Sequence, residues 1–140
     1  MLVLTLKQNV CAQGFVNLDF ESATVSGYSP GSSDVPTTSA LPGWTAYYSN
    51  SIGTYASAEV WYDTISLGGN IISIVDSKVF SSYFGPIQGR YSAFLFGGGG
   101  PDGPISASIS QTGLVPVGTE SLLFDARDYG FPFTVTLAAC

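Results

Sequence analysis

The sequence predicts an all-β protein, an antiparallel β-sandwich built from one domain. Apolar and polar residues alternate with a period of two in segment after segment, as where serines separate Ile105, Ala107 and Ile109. Glycine- and proline-rich breaks separate these segments, and no window carries the 3.6-residue apolar stripe of an amphipathic helix. Many short strands joined by such turns are typical of a sandwich or a barrel.

Eight segments show the alternation expected of strands. They span Val16–Phe20, Trp44–Tyr48, Ala58–Asp63, Ile72–Ile74, Tyr91–Phe96, Ile105–Ser110, Ser121–Ala126 and Phe133–Leu137. Residues 22–43 are rich in Ser, Thr, Gly and Pro, and we expect a long loop there without a strand. The glycine run 97–100 is predicted to be a loop, because a phosphate-binding loop would need a lysine and a following helix. Residues 76–84 are predicted to hold one short helical turn.

The first residues have features of an export signal. Residues 1–12 are predicted to be the remnant of a signal peptide, with the small residues Val10 and Ala12 placed before a cleavage site at Gln13. The alternative is an ordinary first strand that buries alternate leucines. Residues 13–140 are predicted to form the single sandwich domain, since no change of composition marks a boundary.

Charge is scarce in this chain, and its balance is negative. Charged residues make up 10% of the 140 residues, against a usual share of roughly 25%, and the net charge is −6. The apolar share of 45% favours a folded core over disorder. No apolar run approaches the roughly 20 residues of a membrane span. Binding to nucleic acid or to an anionic membrane surface needs clustered basic residues. The basic residues form no run: Lys7, Lys78, Arg90 and Arg127.

The residue types needed for most catalytic centres are missing. The chain has no histidine, and its two cysteines, Cys11 and Cys140, form no CxxC motif, which removes the usual zinc, haem and copper ligand sets. A serine or cysteine nucleophile also needs a histidine or lysine as its base. We therefore predict that the protein is not an enzyme. A glycoside hydrolase, which needs only two carboxylates, is the remaining option. The candidate pairs are Glu59 with Asp63 and Asp125 with Asp128.

Aromatic residues, which make up 14% of the chain, provide the main functional lead. Sugar rings stack their C–H faces on tryptophan and tyrosine rings, so exposed aromatics favour carbohydrate binding. If Val60 and Tyr62 face the core, Trp61 lies among polar neighbours on the outer face. The alternative is that Trp61 covers a groove or packs under the loop 22–43. The predicted stacking residues are Trp61, Tyr62, Tyr47 and Tyr91, while Trp44 is expected to close the core.

Several motifs carry a resemblance to a known family. The pattern Asn17-x-x-Phe20-Glu21, followed by a long loop and Pro42-Gly43-Trp44, resembles the opening of galactose-binding-like jelly rolls. The segments 85–92, 109–113 and 115–126 resemble a group of secreted bacterial proteins that carry a PEP-type C-terminal sorting signal. The resemblance covers about residues 15–137. It implies a jelly-roll fold and an association with carbohydrate or exopolysaccharide.

The resemblance also implies a structural calcium ion. In such modules the glutamate at the position of Glu21 helps to bind calcium, together with an acidic residue in the last strand. Asp19 and Glu21 offer hard oxygen ligands, although a polar strand face that ends in a loop is the favoured explanation of these two residues. The expected last strand is missing from this sequence, so we expect a sandwich that is incomplete at its C-terminus. Such a chain would self-associate through an unpaired sheet edge.

The sequence thus favours a secreted or cell-surface domain without catalytic activity that binds carbohydrate or sits in a polysaccharide matrix. The alternative is a structural surface protein with no small ligand, in which the aromatic residues only stabilise the fold. A glycoside hydrolase is the third option.

Overall fold

Two four-stranded sheets pack together in the computed structural model, which describes residues 14–64, 71–79, 86–100, 103–121 and 123–127. The strand order is β1-β4-β5-β6 in the first sheet and β3-β2-β8-β7 in the second. The elements are β1 Asp34–Pro36, α1 Thr37–Ala40, β2 Thr45–Ser49, β3 Thr54–Ser57, β4 Glu59–Tyr62, β5 Ile72–Asp76, β6 Tyr91–Leu95, β7 Gly98–Gly100 and β8 Gly103–Ser110. The predicted β-sandwich is therefore confirmed.

The first sheet supplies most of the core. All five residues of β5 are buried, so this strand is covered on both of its faces. It runs parallel to β4 and antiparallel to β6, and the other described strand pairs are all antiparallel. On β4, Val60 and Tyr62 face the core as expected, at 0% and 4% exposure. Trp44 packs against the same core, also as expected.

The second sheet is organised around the hairpin of β2 and β3. The side-chain Oδ1 of Asn50 accepts hydrogen bonds from the amides of Ile52 (2.9 Å) and Gly53 (3.1 Å), and the Asn50 amide donates to the Gly53 carbonyl. Asparagine favours such turns because its side chain can replace a backbone acceptor. On its other side β2 pairs with β8, from Thr45 opposite Ser110 to Ser49 opposite Ser106.

The predicted strand at residues 16–20 is wrong. Asn17 and Phe20 have positive φ angles of 51° and 63°, which are incompatible with an extended strand. The segment instead turns, with the Phe20 amide donating to the Asn17 carbonyl and the Ala23 amide to the Phe20 carbonyl. Alternation of apolar residues was therefore a misleading signal here, because Phe20 packs against the core from a loop.

Three short strands were not predicted. The segment 22–43, expected to be a loop, contains β1 and α1, and the glycine run 97–100 contributes β7, which pairs with β8. Strand β3 was also missed. In the opposite direction, the described residues 121 and 123–127 form no strand, although one was predicted there.

Some predictions fall outside the described residues. These are the strand 133–137, the signal-peptide remnant 1–12, both cysteines and most of the predicted turn at 76–84, of which residues 77–79 do form a turn. The described part of the chain contains no helix long and apolar enough to cross a membrane.

Candidate functional site

Tyr48 and Tyr55 form an exposed aromatic pair across the β2–β3 hairpin. They lie directly opposite each other in the strand register, and their ring centroids are 5.3 Å apart with an angle of 26° between the ring planes. The two residues are 36% and 40% exposed, so ring surface remains accessible to solvent. We call the segment Thr45–Ser57 the aromatic hairpin.

The position of this pair follows from the strand register. Tyr48 lies on the same side of the sheet as Ala46 and Ala107, which face the core. Ala46 is fully buried, whereas Tyr48, two residues further toward the turn, is exposed. The hairpin therefore extends beyond the region where the two sheets cover each other. Ile52, at the turn, is 76% exposed and continues the apolar surface.

The opposite side of the second sheet is rich in hydroxyl groups. Tyr47 lies there, half-buried, between Ala56 of β3 and Ser108 of β8. The Oγ of Ser49 and the Oγ1 of Thr54 are 2.7 Å apart and share a hydrogen bond. The hydroxyl residues that flank Tyr47 on this side are Thr45, Ser49, Thr54, Ser106, Ser108 and Ser110.

The strands of the second sheet carry no charged residue. None of the residues in β2, β3, β7 and β8 is Asp, Glu, Lys or Arg. The strands of the first sheet, in contrast, contain Asp34, Glu59 and Asp76. The aromatic pair and the hydroxyl-rich face thus lie on opposite faces of a sheet whose strands carry no charge.

Trp61, the first of the predicted stacking residues, is half-buried on β4. It lies opposite Asp34 of β1 and Ser73 of β5 in the strand register. Its Nε1 is buried and has no hydrogen-bond partner in the described structure. Of its predicted polar neighbours, Glu59 is exposed but Asp63 is 4% exposed, with a φ of 53° that turns it away from the strand.

Tyr62 and Tyr91, two further predicted stacking residues, lie in the core. They are 4% and 5% exposed, which leaves little ring surface for a sugar. The Tyr62 hydroxyl donates to the Oδ2 of Asp76 at 2.9 Å. Burial and this hydrogen bond raise the pKa of Tyr62 to about 12, and burial also raises the pKa of Tyr91. Of the four predicted residues, Tyr47 alone belongs to the aromatic hairpin.

Asp76 is the centre of a buried polar cluster. Its carboxylate, fully buried, accepts hydrogen bonds from Nε (3.0 Å) and Nη2 (2.8 Å) of Arg90, from the amide of Lys78 and from Tyr62. Burial opposes ionisation of this carboxyl, but the four hydrogen bonds outweigh it and hold the pKa of Asp76 below its ordinary value. The Arg90 guanidinium also lies 4.6 Å from the centre of the Tyr91 ring. With every group satisfied, this cluster stabilises the fold.

Glu21, the predicted calcium ligand, joins the N-terminal loop to β6. Its Oε1 accepts hydrogen bonds from the amides of Arg90 (2.7 Å) and Tyr91 (3.0 Å). The carboxylate of Asp19 accepts the amide of Glu21 at 3.2 Å. Within the described ranges no three His, Cys, Asp or Glu side chains converge as a metal site would require. Calcium binding by Glu21 therefore stays a prediction.

The motif segments that carry the family resemblance lie against one another. Asn17 Nδ2 donates to the Pro42 carbonyl, and Trp44 Nε1 donates to the Asn17 carbonyl. The side chain of Gln111 bonds both the amide and the carbonyl of Val16 and also the carbonyl of Gly43. These contacts fasten the N-terminal loop to residues that flank β2 and β8 of the second sheet.

The carboxylate pairs considered for glycoside hydrolysis are not placed alike. Glu59 is exposed, whereas Asp63 is buried beside the amide of Asp76. Asp125 is exposed, and its partner Asp128 lies outside the described residues.

Comparison of the chain with protein-family models, curated proteins and solved structures found no match.

Proposed function

We propose that this protein is a secreted or cell-surface domain without catalytic activity that binds carbohydrate through the aromatic hairpin. The observation that supports the proposal is the exposed pair Tyr48 and Tyr55 on a sheet without charged residues. A tyrosine ring gives a sugar an apolar face, and its hydroxyl provides a hydrogen-bond partner. On the opposite face of the same sheet, around Tyr47, serine and threonine hydroxyls both donate and accept, as sugar hydroxyls do.

A family assignment forms part of this proposal. The contacts of Asn17 with Pro42 and Trp44 support membership of the galactose-binding-like jelly rolls, near the secreted bacterial proteins with PEP-type sorting signals. A ligand from the extracellular polysaccharide matrix is consistent with both the resemblance and the uncharged hairpin. Calcium at Glu21 would then stabilise the loop 17–22 and would not touch the sugar.

A glycan array on the full-length chain, with and without Ca²⁺, tests the proposal. We expect binding of one or more glycans, and we expect Tyr48→Ala and Tyr55→Ala each to weaken it about tenfold, since the loss of stacking costs about 1.4 kcal/mol. Phe15→Ala is the matched control, because Phe15 is 38% exposed but lies outside the hairpin. Absence of binding in both conditions would contradict the proposal.

A structural role without a ligand is the second candidate function. Cross-strand aromatic pairs stabilise a sheet by roughly 0.2–1 kcal/mol, which alone would account for Tyr48 and Tyr55. The same variants separate the two functions. If Tyr55→Ala lowers the melting temperature while no glycan binds to the parent protein, the structural role is favoured.

Self-association through a sheet edge is also proposed. Within the described part of the chain, β3 pairs with β2 alone, and its residues Thr54, Tyr55 and Ala56 are exposed. These residues carry neither charge nor proline, the two features that usually block pairing of an edge strand with another chain. A second copy of this chain is the partner with the matching edge.

A further inference from the structure

The charge distribution points to the chemical class of the ligand, an inference that rests on the proposed function. We infer that the aromatic hairpin binds an uncharged polysaccharide and rejects polymers that carry uronate or sulfate groups. Polysaccharides of both classes occur in extracellular matrices, and both expose C–H faces for stacking. Charge on the protein therefore decides between them.

The second sheet offers an anionic sugar no cation. A carboxylate or sulfate is normally held by the guanidinium of arginine or the ammonium of lysine, whose hydrogen bonds to anions are charge-assisted. In the described structure, β2, β3 and β8 carry hydroxyl, aromatic and aliphatic side chains but no lysine or arginine. An anion that lost water on this surface would gain no compensating charge.

None of the basic residues in the described chain lies on a strand of the second sheet. Arg90 holds both carboxylate oxygens of the buried Asp76 in the first sheet, so its charge is already neutralised. Lys78 lies in the turn that follows β5, also in the first sheet. Arg127 belongs to the segment after residue 121.

The net charge acts in the same direction over longer distances. A protein with a net charge of −6 repels a polyanion. The repulsion is strongest at low ionic strength, because the Debye screening length then reaches tens of ångströms. A neutral polysaccharide meets no such barrier. Its binding should therefore depend little on salt, because stacking and hydrogen bonds between neutral groups are short-range.

Affinity electrophoresis of the full-length protein tests this inference. The gels contain either a neutral polymer (a β-glucan, an α-glucan or a galactomannan) or an anionic one (polygalacturonate), at about 20 mM and about 300 mM salt. We expect a neutral polymer to retard the protein at both salt concentrations. The affinity obtained from the retardation should be about tenfold lower for Tyr48→Ala and for Tyr55→Ala. Polygalacturonate should leave its mobility unchanged at both.

A gain-of-charge variant isolates the cause. Ile52→Lys adds a cation at the exposed turn of the hairpin, and Val117→Lys adds one at a fully exposed position elsewhere. We expect Ile52→Lys to be retarded by polygalacturonate and Val117→Lys not to be. If Ile52→Lys stays unretarded, lack of a cation is not what excludes the polyanion, and the inference is wrong.

Different results would overturn the inference about ligand charge and the proposed carbohydrate binding. Retardation of the parent protein by polygalacturonate, weakened by Tyr48→Ala, would overturn the inference but leave the aromatic hairpin as a carbohydrate site. Retardation by no polymer of either class would overturn the proposed function itself, and with it the inference.

Discussion

Gly43 shows how closely one residue is constrained by its surroundings. It has a φ of 84°, and a Cβ built on it would lie 2.2 Å from Cγ2 of Val16. Only glycine avoids both the left-handed strain and this clash. The position explains why glycine follows Pro42 in the motif that precedes Trp44.

We predict that Gly43→Ala destabilises the protein by about 2–4 kcal/mol, because backbone strain and overpacking act together. Gly27→Ala is the matched control, since Gly27 has a φ of 92° but no atom within 4 Å of its added Cβ. Its cost, about 1 kcal/mol, measures the strain alone. Chemical denaturation of both variants checks the difference, and equal losses would contradict the clash.

At the scale of elements, the N-terminal loop is fastened to the sheets by side chains rather than by strand pairing. Gln111, directly after β8, makes three hydrogen bonds of 2.7–2.9 Å to Val16 and Gly43. These bonds replace the ladder that the predicted strand 16–20 would have made. Gln111 therefore anchors the start of the loop, and Glu21 anchors its end to β6.

Gln111→Ala should cost about 1–3 kcal/mol, because it leaves the partly buried amide and carbonyl of Val16 without partners. Gln88→Ala removes an exposed glutamine and should change stability by less than about 0.5 kcal/mol. Hydrogen exchange adds a local readout. We expect faster exchange of the Val16 amide in Gln111→Ala, and unchanged exchange there would show that the loop is held in another way.

A strand could be predicted when its own residues showed an alternating or continuous apolar pattern. Strands β2, β4, β5, β6 and β8 alternate or form apolar runs, and each was found from sequence alone. The glycines of β7 have no side chains to alternate, and β1 has three residues, one of them proline. The loop at 16–20 alternates without being extended, because Asn17 and Phe20 adopt left-handed backbone conformations that periodicity does not reveal.

The candidate site was predictable only in part. An aromatic-rich surface was the leading interpretation of the sequence, and Tyr47 does lie on the hairpin. The pair Tyr48 and Tyr55 depends on the register set by the turn at Asn50, and that turn was the signal that could have revealed it. The pairing of Asp76 with Arg90 joins residues from separate strand ends, which composition and periodicity do not connect.

At the scale of the whole molecule, Asp76 links stability to pH. Its pKa is lowered in the folded state, so the unfolded chain takes up the proton first as the pH falls. The stabilisation by Asp76 is therefore complete above its ordinary pKa of 3.8 and is lost as the pH falls below that value.

Asp76→Asn should cost about 1.5–3 kcal/mol at pH 7, because it weakens the charge-assisted hydrogen bonds of the buried carboxylate, while Arg90, 39% exposed, stays solvated. The gap between this variant and the parent protein should narrow as the pH falls below about 4. Glu59→Gln, an exposed change on the same sheet, is the control and should track the parent protein. Urea unfolding between pH 2 and 7 measures this, and a gap that stays constant would contradict the linkage.

The exposed edge of β3 predicts that the protein self-associates. We expect the protein to self-associate as its concentration rises, which light scattering after size-exclusion chromatography would detect. Ala56→Lys places a charge on the exposed edge and should shift the protein toward the monomer. A parent protein that remains monomeric at every concentration would contradict pairing through this edge.

Locating the surface that contacts the carbohydrate is the most direct test of binding through the aromatic hairpin. Titration of the isotope-labelled protein with a neutral oligosaccharide, followed by amide chemical shifts, locates the contact surface without any substitution. We predict that the largest shifts fall within Thr45–Ser57 and on the neighbouring strand β8. Shifts that centre instead on Trp61 and β4, or no shifts with any neutral oligosaccharide, would contradict binding through the aromatic hairpin.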